Sequence, residues 1–345
     1  MRKFSLLAVL LVWGLGALAG PAIFVTEPVF DFGKVKEGLL VVHKFILTNV
    51  GDATLHFTRQ PGTSCGCTSA PLPKDSLAPG EFVPLLVKFE TTGYGGLFAK
   101  KYVYVYSDDP ATPTLTLVIQ GNVLPAEPFE ESAYTLKYRY RLILDVRDKD
   151  AFLRGHLLGA VNVPAAEIEK NSELPQCVIY VYDEAGETGV SVAETLRRQG
   201  FWAARALSGG LAGWAKEFGN YLMVGQAPET EPQLSPAAIP AARLAQEYVI
   251  ILDFRDAESY KREHLWGAIH VGPEGLDELL PHLLPAAALT PELQPYIFCV
   301  DEGEGLAQEA AQFLQALGLT RAYALVGGLE QWRLRYGSEF MTTEP

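Results

Sequence analysis

LILDVRDKDAFLRGHLLGAVNV, from Leu142 to Val163, is an apolar run closed by Asp145, followed by a helical pattern, a small-residue turn and a second apolar stretch. IILDFRDAESYKREHLWGAIHV, from Ile250 to Val271, repeats it at an offset of 108 residues. LSGGLAGW (Leu207 to Trp214) returns as LVGGLEQW (Leu325 to Trp332) at an offset of 118. The second copy therefore carries ten extra residues, placed in the stretch LDELLPHLLPAAALTPELQP. Asp183 and Asp301 also differ by 118 and are equivalent positions. Strands alternating with helices, duplicated in this way, predict two α/β units with parallel sheets.

Upstream the pattern changes. LLVVHKFILTN, ATLHF, FVPLLVKFE, KKYVYVYS and TLTLVIQG, between Leu39 and Gly121, are short, partly alternating and separated by turn residues. They predict an all-β, immunoglobulin-like sandwich over residues 23–123. Two Pro- and Glu-rich stretches read as linkers, 124–133 and 221–233, and bound α/β domains at 134–220 and 234–340. A helix is expected before the first strand of the second copy, within LSPAAIPAARLAQEY. YTLKYRYRLILDVR in the first copy shows no such helix, so that copy is expected to lack it or to replace it with a strand.

Arg2 and Lys3, the apolar run Phe4 to Leu18, and Ala17-Leu18-Ala19 predict a signal peptide over residues 1–19 and a periplasmic or secreted protein. No later segment is long and apolar enough to span a membrane. A net charge of −13 argues against nucleic acid and anionic lipid as partners and leaves another exported protein. No cofactor is expected. The four cysteines, Cys65, Cys67, Cys177 and Cys299, are too few and too scattered for a disulfide framework, and no histidine shows zinc-type spacing with a Cys pair.

The series FDFGKVKEG, TNVGD, SCGCT, LAPGE and SDDPATP closely resembles the bacterial immunoglobulin-like domain of unknown function, family 1573. That resemblance implies a sandwich and no established chemistry. LDVRD…GHLLGAVNVP, VIYVYD and LSGGLAGW, with their second copies, closely resemble the rhodanese domain, a thiosulfate sulfurtransferase fold. In active members the strand after the central crossover ends in a Cys, at the base of a loop of inward-pointing N–H groups with a helix N-terminus behind it. There the thiolate holds sulfur as a persulfide.

The resemblance places that position at Asp183 in VYDEAGETG and at Asp301 in CVDEGEGLA. A carboxylate forms no S–S bond, but it accepts N–H hydrogen bonds as an Asp does at a helix cap. Asp183, Glu184, Gly186, Glu187 and Thr188, and Asp301, Glu302, Gly303, Glu304 and Gly305, are thus degenerate active-site loops with no catalytic residue. The position five residues on, often Arg in active loops, is Thr188 or Leu306. A divalent cation at these carboxylates is a further reading. Asp145 and Asp253, His156 and His264, and the Gly209-Gly210 and Gly327-Gly328 pairs are expected to define the fold, and Cys177 and Cys299 to be structural thiols.

Cys65-Gly66-Cys67 leaves three readings open: a disulfide, a soft metal or thiol-exchange site, or two locally packed thiols. The sequence therefore favours an exported binding or scaffolding protein. The alternative is a sulfurtransferase, or a thiol-redox or sulfur-carrier protein using Cys65 and Cys67.

Overall fold

In FVPLLVKFE every second side chain, Val83, Leu85, Val87 and Phe89, is buried, the period that a strand with one face on a core requires. Strands of this kind build the first of two compact units, which runs to Leu124 without Glu37–Leu39; those three residues and the chain from Pro125 on make up the other. The computed structural model describes residues 20–170, 173–272, 275–303 and 305–343. The predicted signal peptide, 1–19, and Glu304 lie outside the described residues.

The first unit is the expected all-β sandwich. Its strands are β1 (Ile23–Phe24), β2 (Val29–Lys36), β3 (Leu40–Asn49), β4 (Leu55–Thr63) and β5 (Thr68–Ser69). They continue with β6 (Ser76–Leu77), β7 (Phe82–Glu90), β8 (Phe98–Ser107) and β9 (Thr114–Leu124). One sheet runs β1-β3-β7-β5 and the other β2-β9-β8-β4-β6. Phe45, Leu47, Leu55, Val103 and Leu117 fill the space between them. The TNVGD turn is held by Asn49, which donates through Nδ2 to the carbonyls of Ala53 (2.8 Å) and Leu77 (3.0 Å) and accepts from the Gly51 N–H (3.0 Å).

The second unit contains both α/β copies. Copy one has β11 (Arg141–Asp145), α2 (Lys149–Arg154), β12 (Gly155–Leu157), β13 (Val161–Asn162), β14 (Val178–Tyr182) and α3 (Thr188–Arg198), then β15 (Ala204–Ala206), α4 (Gly210–Phe218) and β16 (Met223–Gly225). Ahead of them stand β10 (Glu130–Glu131) and α1 (Ala133–Arg139). Copy two follows the same order: α5 (Ala241–Glu247), β17 (Val249–Asp253), α6 (Ala257–Arg262), β18 (His264–Leu265) and β19 (Ala268–His270). It continues with α7 (Leu276–Leu283), β20 (Tyr296–Val300), α8 (Leu306–Ala316), β21 (Ala322–Leu325), α9 (Gly328–Tyr336) and β22 (Met341–Thr342). The parallel sheets run β13-β11-β14-β15 and β10-β21-β20-β17-β19. The extra residues of copy two fold as α7 and the short 3-10 turns after it.

Three expectations are corrected. Copy one does have a leading helix, α1. Its aromatic and β-branched residues suggest a strand, but Ser132 Oγ accepts from the Thr135 N–H as an N-cap, and Ala133, Leu136 and Tyr140 form one buried stripe. The stretch read as a linker at 124–133 ends in β10 and this cap. Copy one also runs past residue 220, because β16 pairs antiparallel with β12, as β22 pairs with β18 beyond residue 340.

The leading segments are exchanged between copies. β10, ahead of copy one, pairs parallel with β21 of copy two, and α1 packs on α9. In return Ile239, just ahead of α5, pairs with Leu207 at the edge of the first sheet, and α5 packs on α4. The pairings are equivalent bond for bond: the Val326 N–H donates to Glu131 O (2.9 Å), and the Ser208 N–H donates to Ile239 O (2.8 Å). Tyr140 packs against Trp332, and Tyr248 against Trp214, with ring centroids 6.1 and 5.6 Å apart. Their hydroxyls donate to the equivalent carbonyls of Trp266 (2.5 Å) and Leu158 (2.8 Å). All four rings are nearly fully buried.

Each copy thus lacks part of its core without the other. A protease site placed in the exposed stretch Glu229–Glu231 and cleaved in the folded chain should leave two halves that co-elute in size-exclusion chromatography and separate only in denaturant. Elution as two folded, independent fragments is the contrary result.

Candidate functional site

β14 and β20 are central strands, and each delivers an aspartate to the N-terminus of the following helix. Asp183 is 7% exposed and Asp301 3%. Asp183 Oδ1 accepts from the Gly186 N–H (2.5 Å), and Oδ2 accepts from Thr188 and, at 3.2 Å, from Gly189. Asp301 Oδ1 accepts from the Gly303 N–H (2.7 Å), and Oδ2 from Gly305 and Ala307, both at 3.1 Å. The carboxylate fills the space where inward N–H groups and the helix dipole would otherwise hold an anion.

The same aspartates fix the next helix through their carbonyls. Asp183 O accepts from Leu211 N (2.9 Å) and Asp301 O from Leu329 N (2.8 Å). This close approach explains the glycine pairs. Gly210 and Gly328 have φ of +57° and +59°, and a Cβ there would lie 2.6 Å from Asp183 O or 2.4 Å from Asp301 O.

Sequence reading missed the arginines beside the loops. Arg147 chelates Asp145 through Nε (3.0 Å) and Nη2 (2.6 Å), and reaches Glu184 through Nη1 (2.6 Å). Arg255 does the same with Asp253 and with Glu302 (3.0 Å), and Arg333 forks onto Glu302 at 2.7 and 2.9 Å. Burial opposes the charge on Arg147 and Arg255, but the paired carboxylates more than compensate and hold both protonated. The signal was in plain sight: both copies carry Arg two residues after the strand-ending Asp.

Glu187 accepts from Gln233 Nε2, and the Gln233 N–H donates to Ala185 O (2.8 Å), so the connector between copies lies on the first loop. Of the carboxylates read as cation ligands, Asp183, Glu184, Glu187, Asp301 and Glu302 are committed to N–H donors or guanidiniums. Among the described residues no group of three or more His, Cys, Asp or Glu side chains could hold a metal ion. His156 and His264 donate from Nδ1 to the carbonyls of Phe152 and Tyr260 (both 2.9 Å), closing the turn after a helix.

Cys299 is fully buried, and burial, then the Asp301 charge, pushes its thiol up. Burial pushes the Cys177 thiol up to about 12. Neither is a reactive thiolate. Cys65 and Cys67 form a disulfide in the sandwich, which excludes two separate, locally packed thiols.

A parallel sheet whose central strand ends in an N–H-lined loop, closed behind by a Gly-Gly helix start, is the architecture of a rhodanese-like domain, here present twice. The chain belongs to that family: the Rhodanese-like domain model matches residues 130–217 and 239–335. The sandwich matches the Protein of unknown function (DUF1573) model over residues 23–123. Among relatives, Uncharacterized protein YqhL of Bacillus subtilis is 31% identical over 86 residues, 24% of this chain and 68% of that protein. Thiosulfate sulfurtransferase GlpE of Ectopseudomonas mendocina is 29% identical, across 29% of this chain and 84% of that one. The chain spans less than a third of the centrosomal proteins it also matches. Among solved structures, the Alr3790 protein from Anabaena is 33% identical, with 27% of this chain and 78% of that chain covered and a TM-score of 0.23.

Two outcomes follow from the loop geometry. Asp301→Ala strands the N–H groups of Gly303, Gly305 and Ala307. It should cost about 2–3 kcal/mol in urea unfolding, and Asp301→Asn, which keeps one acceptor, clearly less. Arg333 first, then Arg255, holds the Glu302 carboxyl below its usual range against the effect of burial. A carboxyl lowered on folding stabilises above its unfolded pKa, and that stability is lost as pH falls through the folded one. Because the pair is about a third exposed, Arg333→Met should cost roughly 0.5–1 kcal/mol at neutral pH and progressively less as pH falls below the usual glutamate range, measured by thermal melts across pH.

Proposed function

We propose that this is an exported binding protein whose two rhodanese-like domains present surfaces to a partner and do not transfer sulfur. The observation that carries the reading is the equivalent filling of both loops by Asp183 and Asp301, each with three backbone N–H donors. A sulfane-sulfur acceptor needs a thiolate there, and a thiosulfate anion needs the N–H groups free. Both requirements fail twice. Relatives named as sulfurtransferases supply the contrary expectation, since they share the domain. Export is supported by the signal-peptide pattern and by a disulfide, a bond that persists in oxidising compartments. The partner is another exported protein.

The test is thiocyanate release from thiosulfate and cyanide by the full chain. The expected result is no turnover above a variant in which Cys177 and Cys299 are serine, and measurable turnover on Asp301→Cys. Turnover by the unmodified chain that depends on Cys177 or Cys299 overturns the reading.

A further inference from the structure

Cys65 and Cys67 occupy the turn between β4 and β5. The turn is clamped from two strands: Ser64 N–H donates to Tyr102 O (3.0 Å), Tyr102 N–H to Ser64 Oγ (3.0 Å), and Glu90 N–H to Cys67 O (2.9 Å). The Thr63 hydroxyl donates to Cys65 O (2.9 Å). A bond that closes so short a loop restricts the unfolded chain little, so stabilisation is a weak account of it.

The two sulfurs have different surroundings. Cys67 packs on the sandwich core, and its Sγ lies 3.3 Å from the Tyr94 hydroxyl. A disulfide sulfur has no hydrogen to give, so the phenol donates. Lys101 Nζ in turn donates to the Tyr94 oxygen at 2.7 Å and lies 4.0 Å from the centroid of the same ring. An ammonium, a phenol and a sulfur thus form a directed chain, in which each hydrogen bond polarises the next. Cys65 Sγ has the Thr68 hydroxyl at 3.5 Å, and the exposed Gly66 beside it would meet nothing within 4 Å of a Cβ, leaving room for approach.

We propose that Cys65–Cys67 is a thiol–disulfide exchange site that accepts two electrons from an external dithiol. A thiolate of the dithiol attacks Cys65 Sγ, and a mixed disulfide forms as the Cys65–Cys67 bond breaks. The electron pair leaves on Cys67 Sγ, where the Tyr94 O–H, backed by the Lys101 ammonium, stabilises the thiolate. The second thiol of the dithiol then attacks its own sulfur in the mixed disulfide and releases Cys65 as a thiolate. The dithiol ends as a disulfide, and Cys65 and Cys67 take up the two protons it loses. This site is independent of the loops at Asp183 and Asp301, and its failure would leave the reading of those loops standing.

The experiment uses the oxidised full chain, with differential alkylation and peptide mass spectrometry reporting each cysteine. A predominantly reduced glutathione buffer should open Cys65–Cys67 while circular dichroism stays native. Tyr94→Phe should slow reduction by dithiothreitol about tenfold, the loss of one hydrogen bond to a charged group. In the reduced chain it should also move the pH midpoint of Cys67 alkylation upward. Lys101→Met, which keeps the phenol, should shift both readouts in the same direction by less, and it decides the matter if Tyr94→Phe unfolds. A disulfide that stays closed in that buffer, or variants with unchanged rate and midpoint, overturns the proposal.

Discussion

The α/β half of the chain depends on one packing constraint: a buried tryptophan in each copy needs a tyrosine that arrives from the other copy's leading segment. Trp332 and Trp214 sit at the centres of α9 and α4, and Tyr140 and Tyr248 cover them. The helix each tryptophan anchors begins at a Gly-Gly pair, and its first N–H groups are held by the carbonyl of Asp301 or Asp183. The exchange, the tryptophan helix and the carboxylate loop are consecutive links. A disturbance at the exchanged helix therefore has a covalent and hydrogen-bonded route to the loop.

The loops are not simply acidic. Each is a stack in which an N–H-bonded aspartate lies at the base and a glutamate above it is pinned by an arginine from the preceding crossover. Arg147 also serves Asp145 and the Gly155 carbonyl, and Arg255 serves Asp253 and the Glu263 carbonyl. Removing one buried member of such a network strands the others, which costs more than the pair contributes by itself. The arrangement is built to be rigid. Rigidity is what a recognition surface needs and is no substitute for a nucleophile.

Much of this was legible in the sequence, and the omissions have physical reasons. Alternation in FVPLLVKFE and the duplicated LDVRD/LDFRD stretches gave the sandwich, the parallel sheets and the equivalence of Asp183 with Asp301. The helix α1 was missed because the tyrosines and threonine in YTLKYR weigh toward strand, while its cap and its buried stripe at Ala133, Leu136 and Tyr140 count for more. Exchange leaves no trace in hydrophobic pattern: a leading helix has the same buried face whichever copy receives it. Arg147 and Arg255 stood two residues after Asp145 and Asp253, but only the turn brings a side chain back on its own strand end. Spacing alone left Cys65 and Cys67 open, since two cysteines around a glycine fit a strand or a turn equally well.

Sulfur chemistry is distributed in this chain against the expectation its larger domains create. The rhodanese-like copies hold Cys177, half-buried, and Cys299, fully buried, and burial raises both thiols. Each sits on or beside the strand that ends at the loop, yet no thiol occupies the loop itself. The sandwich, whose fold implies no chemistry, holds the bonded cysteine pair, with a hydroxyl and an ammonium aligned on one of its sulfurs. Reactivity follows the microenvironment of a sulfur, not the fold that carries it. On that criterion the proposed partner-facing role falls to the α/β pair and the proposed electron exchange to the sandwich.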